Sequence, residues 1–227
     1  GQHSLSGSVR ISGAKNSVLP MLCASVMVSD GQVKLENVPH LQDVTTTTRL
    51  LTQMGISVTM DEFMDISLDP STIHNLYAPY ELVKTMRSSI LVLGPLLAKY
   101  GEAKVSLPGG CAIGMRPVDM HLYALQKMGA SISVENGYIT AKVKKLKGTE
   151  ILFPRKSVTG TENIIMAATL AKGTTIIKNA ASEPEISDLC LFLNKMGAKI
   201  SGFGSDKITI QGVDSLKGTR HKPLPDR

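Results

Sequence analysis

Three Met-Gly pairs divide this sequence. They begin at Met54, Met128 and Met196, and each closes a segment with an amphipathic helical pattern: "TRLLTQMG", "LYALQKMG" and "LFLNKMG". Glycine directly after the last apolar turn is how a helix stops in a left-handed cap. β-prone stretches follow: "ISVTM", "ASISVENGYITAKV" and "AKISGFGSDKITIQGV". Asn136-Gly137 and Gly204-Ser205 interrupt the second and third as turn residues do, so these two read as hairpins. Upstream of each amphipathic helix stands a glycine-led strand, starting at Gly31, Gly101 and Gly173. Ahead of those lie "SVLPMLCASVMV", "VKTMRSSILVLGPLLAKY" and "TENIIMAATLA". A helix without a polar face must be surrounded by protein. The chain reads as three copies of helix, strand, amphipathic helix and strand pair, over about 9–70, 77–143 and 144–213. The expected architecture is a single α/β lobe with its helices buried at the centre.

The copies are unequal in one place. From the leading Gly to the Gly of the Met-Gly pair is 24 positions in the first and third copies and 28 in the second. The extra four fall in "PGGCAIGMRP". A scaffold of three like repeats does not require an insertion in one of them, and loops on a rigid scaffold are where function concentrates.

Composition narrows the classes of function. With no Trp and only 4% aromatic residues the core must be aliphatic, and few aromatics leave no platform for stacking nucleic-acid bases. A net charge of +6 still favours an anionic partner, so a phosphorylated small molecule is the better candidate. The run "KVKKLK" reads as a solvated strand and turn. No apolar run is long enough to cross a bilayer, "GQHSLSGSVR" lacks the apolar core of a signal peptide, and three scattered cysteines suit reduced thiols. A cytoplasmic protein is expected.

The candidate chemistry begins at Cys111, between a Gly-Gly pair and Arg116. A neighbouring cation favours the thiolate, and a loop thiol can serve as nucleophile or proton donor; the alternative is a small packed hydrophobe. Pro117 suits the first turn of a helix, which places Arg116 at an entry that favours anions. Asp119 and His121 stand beside it, either as site residues or as a first-turn carboxylate and a surface histidine. Lys15 and Asn16 open the first buried helix, where a lysine has the wrong sign for the helix dipole unless an anion sits there. Arg87 interrupts an apolar helix and needs a partner. Arg155 and Lys156 precede Ser157, Val158, Thr159 and Gly160, a candidate phosphate cradle. Each copy thus puts cations at one end of its buried helix. No nucleotide fingerprint and no metal-spaced ligand set is present, so neither cofactor nor metal is expected.

"SGAKN", "APYELVKTMRSSI", "SLPGGCAIGMRPVDMH", "VTGTENIIMAATLAKGTTIIKNAASEPEI" and "LPDR" resemble the bacterial enolpyruvyl transferases of peptidoglycan synthesis that act on UDP-N-acetylglucosamine. The resemblance implies an inside-out α/β barrel and transfer of enolpyruvyl from phosphoenolpyruvate to the sugar nucleotide's 3′-hydroxyl, with release of phosphate. It implies that Cys111 is the proton donor, forms a covalent adduct with phosphoenolpyruvate and is alkylated by fosfomycin. Lys15, Asn16 and Arg116 would contact phosphoenolpyruvate. Arg87, the run Arg116, Pro117, Val118, Asp119, Met120, with His121, and the stretch Arg155, Lys156, Ser157, Val158 would contact UDP-N-acetylglucosamine. Arg155 stands where some relatives have Lys, and the two are not interchangeable at a phosphate. Family members have two such barrels with the active site between them, so residues 214–227 are expected to start the crossover to a second lobe, which would supply the general base. Two alternatives remain: a nucleotide-binding lobe without turnover, and the sister family acting on shikimate 3-phosphate, which lacks the cysteine loop.

Overall fold

A computed structural model describes residues 7–83, 87–107 and 118–227. The first unit runs α1 (Lys15–Ala24), β1 (Val28–Asp30), β2 (Val33–Leu35), α2 (Gln42–Gln53), β3 (Ser57–Met60) and β4 (Ile66–Asp69). The second holds β5 (Tyr77–Ala78), α3 (Tyr80–Val83), a 3-10 turn (Arg87–Val92), α4 (Leu93–Tyr100), β6 (Glu102–Ser106), α5 (Asp119–Lys127), β7 (Ser131–Glu135) and β8 (Tyr138–Lys142). The third is β9 (Glu150–Leu152), α6 (Val158–Thr169), β10 (Thr174–Lys178), α7 (Pro184–Lys195), β11 (Lys199–Ser201) and β12 (Lys207–Gln211). Two short strands end the chain, β13 (Leu216–Lys217) and β14 (Arg220–His221).

The Met-Gly signal corresponds to one motif made three times. Gly55, Gly129 and Gly197 have φ of 101°, 98° and 105°. Their N–H groups bond Thr52, Gln126 and Asn194, and the next residue's N–H reaches back to Leu51, Leu125 and Leu193, at 2.9–3.0 Å. These are the paired bonds of a Schellman cap, which satisfy the last carbonyls of α2, α5 and α7. The methionines before them are buried. Their carbonyls accept from the connecting segments, through the N–H groups of His74, Lys147 and Lys217.

Each four-stranded sheet follows one plan. A short edge strand lies parallel to the glycine-led strand, which is antiparallel to the second strand of a hairpin. The orders are β14-β2-β4-β3, β5-β6-β8-β7 and β9-β10-β12-β11. Inward pairs such as Val33↔Leu68, Val105↔Ile139 and Ile177↔Ile208 are fully buried. The first copy is also a hairpin, with the acidic loop "DEFMD" concealing its turn and Met64 at φ 64°.

α1 and α4 both pack on α6, α1 also meets the 3-10 turn ahead of α4, and α2 and α7 lie against α1 while α5 lies against α6. Ten of the twelve residues of α6 and eight of the ten of α1 are buried. Helices sit inside and three separate four-stranded sheets outside, with the small pair β1-β13 beside them, the expected arrangement of three repeats around buried helices. The second buried helix departs from its expected continuous form. Pro95 has no N–H for Leu91, so the α ladder begins afresh at Leu93 after the 3-10 turn.

Residues 214–227 belong to the packing of this lobe. "LKGT" at Leu146–Thr149 recurs at Leu216–Thr219. In both copies Lys donates to the capping Met carbonyl, and Gly donates across to Lys172 or Asp30. An edge strand follows each, β9 in the third sheet and β14 in the first. The end of the chain completes the sheet begun by the first unit. His221 and Asp188, both buried, bond at 2.8 Å and fasten β14 to α7.

Candidate functional site

α1 begins at Lys15 without a side-chain cap, and a cleft of about 420 Å³ opens there. Asn16, Gln42, Asp43, Glu185 and Asp226 share its walls with Lys15. The anion expected at Lys15 is the Asp43 carboxylate, 3.0 Å from its Nζ and carried on the first turn of α2. Both side chains are part-exposed, so the pair is weak and a phosphate can compete for the ammonium. Arg227 donates to Glu185 at 3.0 Å. "LPDR" therefore contributes Asp226 to the cleft wall and Arg227 to an ion pair on its rim.

The second cluster forms where α5 and α6 start. Arg155 donates to Asp119 at 3.2 Å, which joins the two candidate nucleotide segments by an exposed ion pair. Lys156 is exposed beside it. Ser157 caps α6, its hydroxyl oxygen accepting from the Gly160 N–H at 3.1 Å, while Val158 is half-buried against the core. A groove of about 680 Å³ runs between Asp119, Met120, Tyr123, Leu152 and Pro154. The Met120 side chain is buried, and the half-buried Val118 packs against the core.

His121 has moved furthest from a surface reading: it is 4% exposed. Its Nδ1 accepts from the Asn163 amide at 2.9 Å, and its Nε2 lies 3.4 Å from the Thr159 hydroxyl. Burial pulls its pKa down to about 4, against a smaller upward pull from Asp119, so the ring is neutral. Arg87 opens the 3-10 turn. Cys111, Arg116 and Pro117 lie outside the described residues.

The starts of the central helices share one end of the lobe. Glu185, at the start of α7, faces the Lys15 cleft and also acts on Glu162 in α6, while Asn163 bonds the Ile90 carbonyl in the 3-10 turn. Glu162 escaped the sequence reading, although the argument that singled out Arg87, a charge within an apolar helix, applies to it equally. It is 2% exposed and its Oε1 has no hydrogen-bond partner. Burial raises its carboxyl well above the ordinary 4.5, and Glu185 and Glu183 raise it further. The folded chain therefore keeps a proton that the unfolded chain releases above about 4.5, so this group makes stability fall as pH rises from there to its raised pKa. Glu162→Gln should flatten that slope and melt higher than the parent at pH 8 than at pH 5. Parallel melting profiles across this range would contradict the assignment.

Among the described residues no group of three or more His, Cys, Asp or Glu is placed to hold a metal ion, and no helix is long and apolar enough to cross a membrane.

Comparison with known proteins places this geometry. The family model of EPSP synthase (3-phosphoshikimate 1-carboxyvinyltransferase) matches residues 1–227. The chain is 58% identical to UDP-N-acetylglucosamine 1-carboxyvinyltransferase of Hydrogenovibrio crunogenus over 98% of its own length and 53% of that relative. It is 59% identical to the protein of the same name from Coxiella burnetii, over 98% of this chain and 51% of that one. The chain spans about half the length of the curated relatives it matches. Among solved structures, the enolpyruvyl transferase NikO of Streptomyces tendae superposes with a TM-score of 0.83 at 22% identity, over 98% of this chain and 52% of that one. EPSP synthase from Acinetobacter baumannii gives 0.74 at 21% identity, over 95% and 49%. These two show the fold, and the inside-out α/β barrel expected from the sequence is the fold they share. By the match along its whole length, the chain belongs to the EPSP synthase family of 1-carboxyvinyltransferases.

Proposed function

We propose that this chain is the cysteine-loop lobe of a cytoplasmic enzyme that transfers enolpyruvyl from phosphoenolpyruvate to the 3′-hydroxyl of UDP-N-acetylglucosamine and releases phosphate, opening peptidoglycan synthesis. The observation that carries this reading is identity of 58–59% over nearly the whole chain to relatives named for that substrate. The sugar nucleotide lies along Arg87, the α5 entry from Arg116 to Met120 and the turn Arg155 to Val158. Phosphoenolpyruvate lies near Lys15, Asn16 and Arg116. The 3′-hydroxyl gives its proton to a base of the second lobe as its oxygen adds to C2 of phosphoenolpyruvate, while Cys111 protonates the C3 methylene to a methyl. The tetrahedral adduct then expels phosphate as C3 gives up a proton, which restores the double bond.

A second lobe completes the site. Val9 and Ile11 are 89% and 58% exposed, apolar side chains that suit burial against another body. Their segment leaves beside the end of the chain, since Gly13 pairs with Pro225 and the Asp226 N–H donates to the Ser12 carbonyl. Residues 12–13 and 225–226 are thereby held side by side. Positioning of reactants supplies roughly 7–11 kcal/mol of a barrier reduction, and one lobe offers only part of the walls. The 227-residue chain should therefore stay at background in a phosphate-release assay, whereas a two-lobe protein containing it should release phosphate only with both substrates present. Turnover by the single lobe would overturn the division of the site. Release with shikimate 3-phosphate in place of the sugar nucleotide would overturn the substrate.

A further inference from the structure

We infer that Asn163 and His121 are a positioning pair that holds the three sugar-nucleotide segments, around Arg87, Asp119 and Ser157, at fixed separations; the ligand named here rests on the proposed function. Asn163 is fully buried in α6 and cannot itself touch a ligand in the clefts. Its amide nevertheless bonds three other elements. Oδ1 accepts from the Gly94 N–H at 2.8 Å, and Nδ2 donates to the Ile90 carbonyl at 3.0 Å and to His121 Nδ1 at 2.9 Å. The two backbone partners fix which end of the amide is oxygen, since an N–H must meet Oδ1 and a carbonyl must meet Nδ2. That in turn fixes the histidine. With Nδ1 accepting, the ring proton sits on Nε2, facing the Thr159 hydroxyl.

Each end of the network stands next to a candidate contact. Ile90 is one turn beyond Arg87, His121 is two residues beyond Asp119, and Thr159 is two beyond Ser157. A buried polar network that is fully bonded rigidifies what it joins, and one with a missing member leaves orphaned groups in the interior. Gly94 shows how tightly the junction is built: a Cβ there would lie 2.3 Å from Asn163 Oδ1. The charged groups near the ring are Asp119 on α5 itself and Arg155, Asp119's partner, ahead of α6.

The test uses the 227-residue chain. Long-range imidazole nitrogen correlations should show His121 as the Nε2–H tautomer, untitrated from pH 5.5 to 8. In Asn163→Asp, a carboxylate facing Nδ1 should turn the same ring cationic at neutral pH. UDP-N-acetylglucosamine should bind about tenfold more weakly to Asn163→Ala and to His121→Ala, in variants that still melt cooperatively. His121→Gln, whose side chain can accept from Asn163 and donate to Thr159, should restore binding to within about threefold of the parent. Amide exchange in Asn163→Ala should quicken together at 88–94, 119–122 and 158–161. An Nδ1–H tautomer, exchange changes confined to α6, or equal losses for His121→Gln and His121→Ala would overturn the pairing. A parent chain that binds no sugar nucleotide would instead contradict the proposed function, and the tautomer and exchange pattern would still decide the coupling.

Discussion

Gly94→Ala should destabilise this lobe by about 2–6 kcal/mol. On an exposed helix the same substitution stabilises by about 1 kcal/mol, so the sign alone is informative. Gly94 lies in the first turn of α4 where that helix meets α6. A Cβ would sit 2.3 Å from Asn163 Oδ1, 2.5 Å from the Asn163 carbonyl oxygen and 3.3 Å from the Ala167 Cβ. Backbone oxygen cannot swing away as a flexible side chain can, so the helices must part. Overpacking of this kind costs roughly 1–3 kcal/mol. Parting the helices also breaks the Gly94 to Asn163 bond, and a buried donor left unpaired adds about 1–3 kcal/mol. Against a typical total of about 5–15 kcal/mol, that is a large share of the stability. Urea unfolding followed by circular dichroism reads it directly. A loss under about 1 kcal/mol would mean that the α4–α6 junction is looser than its geometry.

Thiol labelling should be all but exclusive to one cysteine. Cys23 and Cys190 are buried in α1 and α7. Burial pushes the Cys23 thiol far above its ordinary range, with a further push from Glu162, and burial pushes Cys190 up to about 12. For Cys190 the rise from 9.0 amounts to roughly a thousandfold less thiolate at neutral pH, before the need to open the core is counted. Cys111 is expected from the sequence on a glycine loop beside Arg116, where neither impediment would apply. Under native conditions a small alkylator or fosfomycin should add once per chain, at Cys111, at least about a thousandfold faster than elsewhere. Peptide mapping that finds Cys23 or Cys190 modified at a comparable rate would refute both the burial argument and the role given to the loop.

The parts of the fold legible in the sequence were those written in local chemistry. A glycine in a left-handed cap is nearly obligatory, so Met54-Gly55 and its two counterparts marked the repeat, and Asn136-Gly137 marked a two-residue hairpin. Helices apolar on every side could only be central. The edge strands were less legible, because two residues such as Arg220–His221 carry no periodicity and "LKGT" is informative only once its two copies are compared. That comparison would have placed residues 216–221 within the lobe. The 3-10 turn before α4 follows from one proline whose effect depends on where the helix starts.

The candidate site divides in the same way. Lys15 and Arg155 drew notice as cations at helix entries, and each has its carboxylate, Asp43 and Asp119. Those partners are 28 and 36 residues away, beyond the reach of any local pattern. Asn163 was legible only as part of "TEN". Its importance comes from three partners on other elements, which only the tertiary arrangement brings together.

Under the proposed function, this lobe presents the sugar-nucleotide side of a 1-carboxyvinyltransferase site. The most direct measurement is a nitrogen-15 amide titration of the 227-residue chain with UDP-N-acetylglucosamine, run in parallel with shikimate 3-phosphate. The account predicts saturable shifts at Asp119, Met120, Arg155, Lys156 and Ser157 with the sugar nucleotide, and none there with shikimate 3-phosphate. Silence at those residues with UDP-N-acetylglucosamine, or a response to shikimate 3-phosphate in its place, would contradict it.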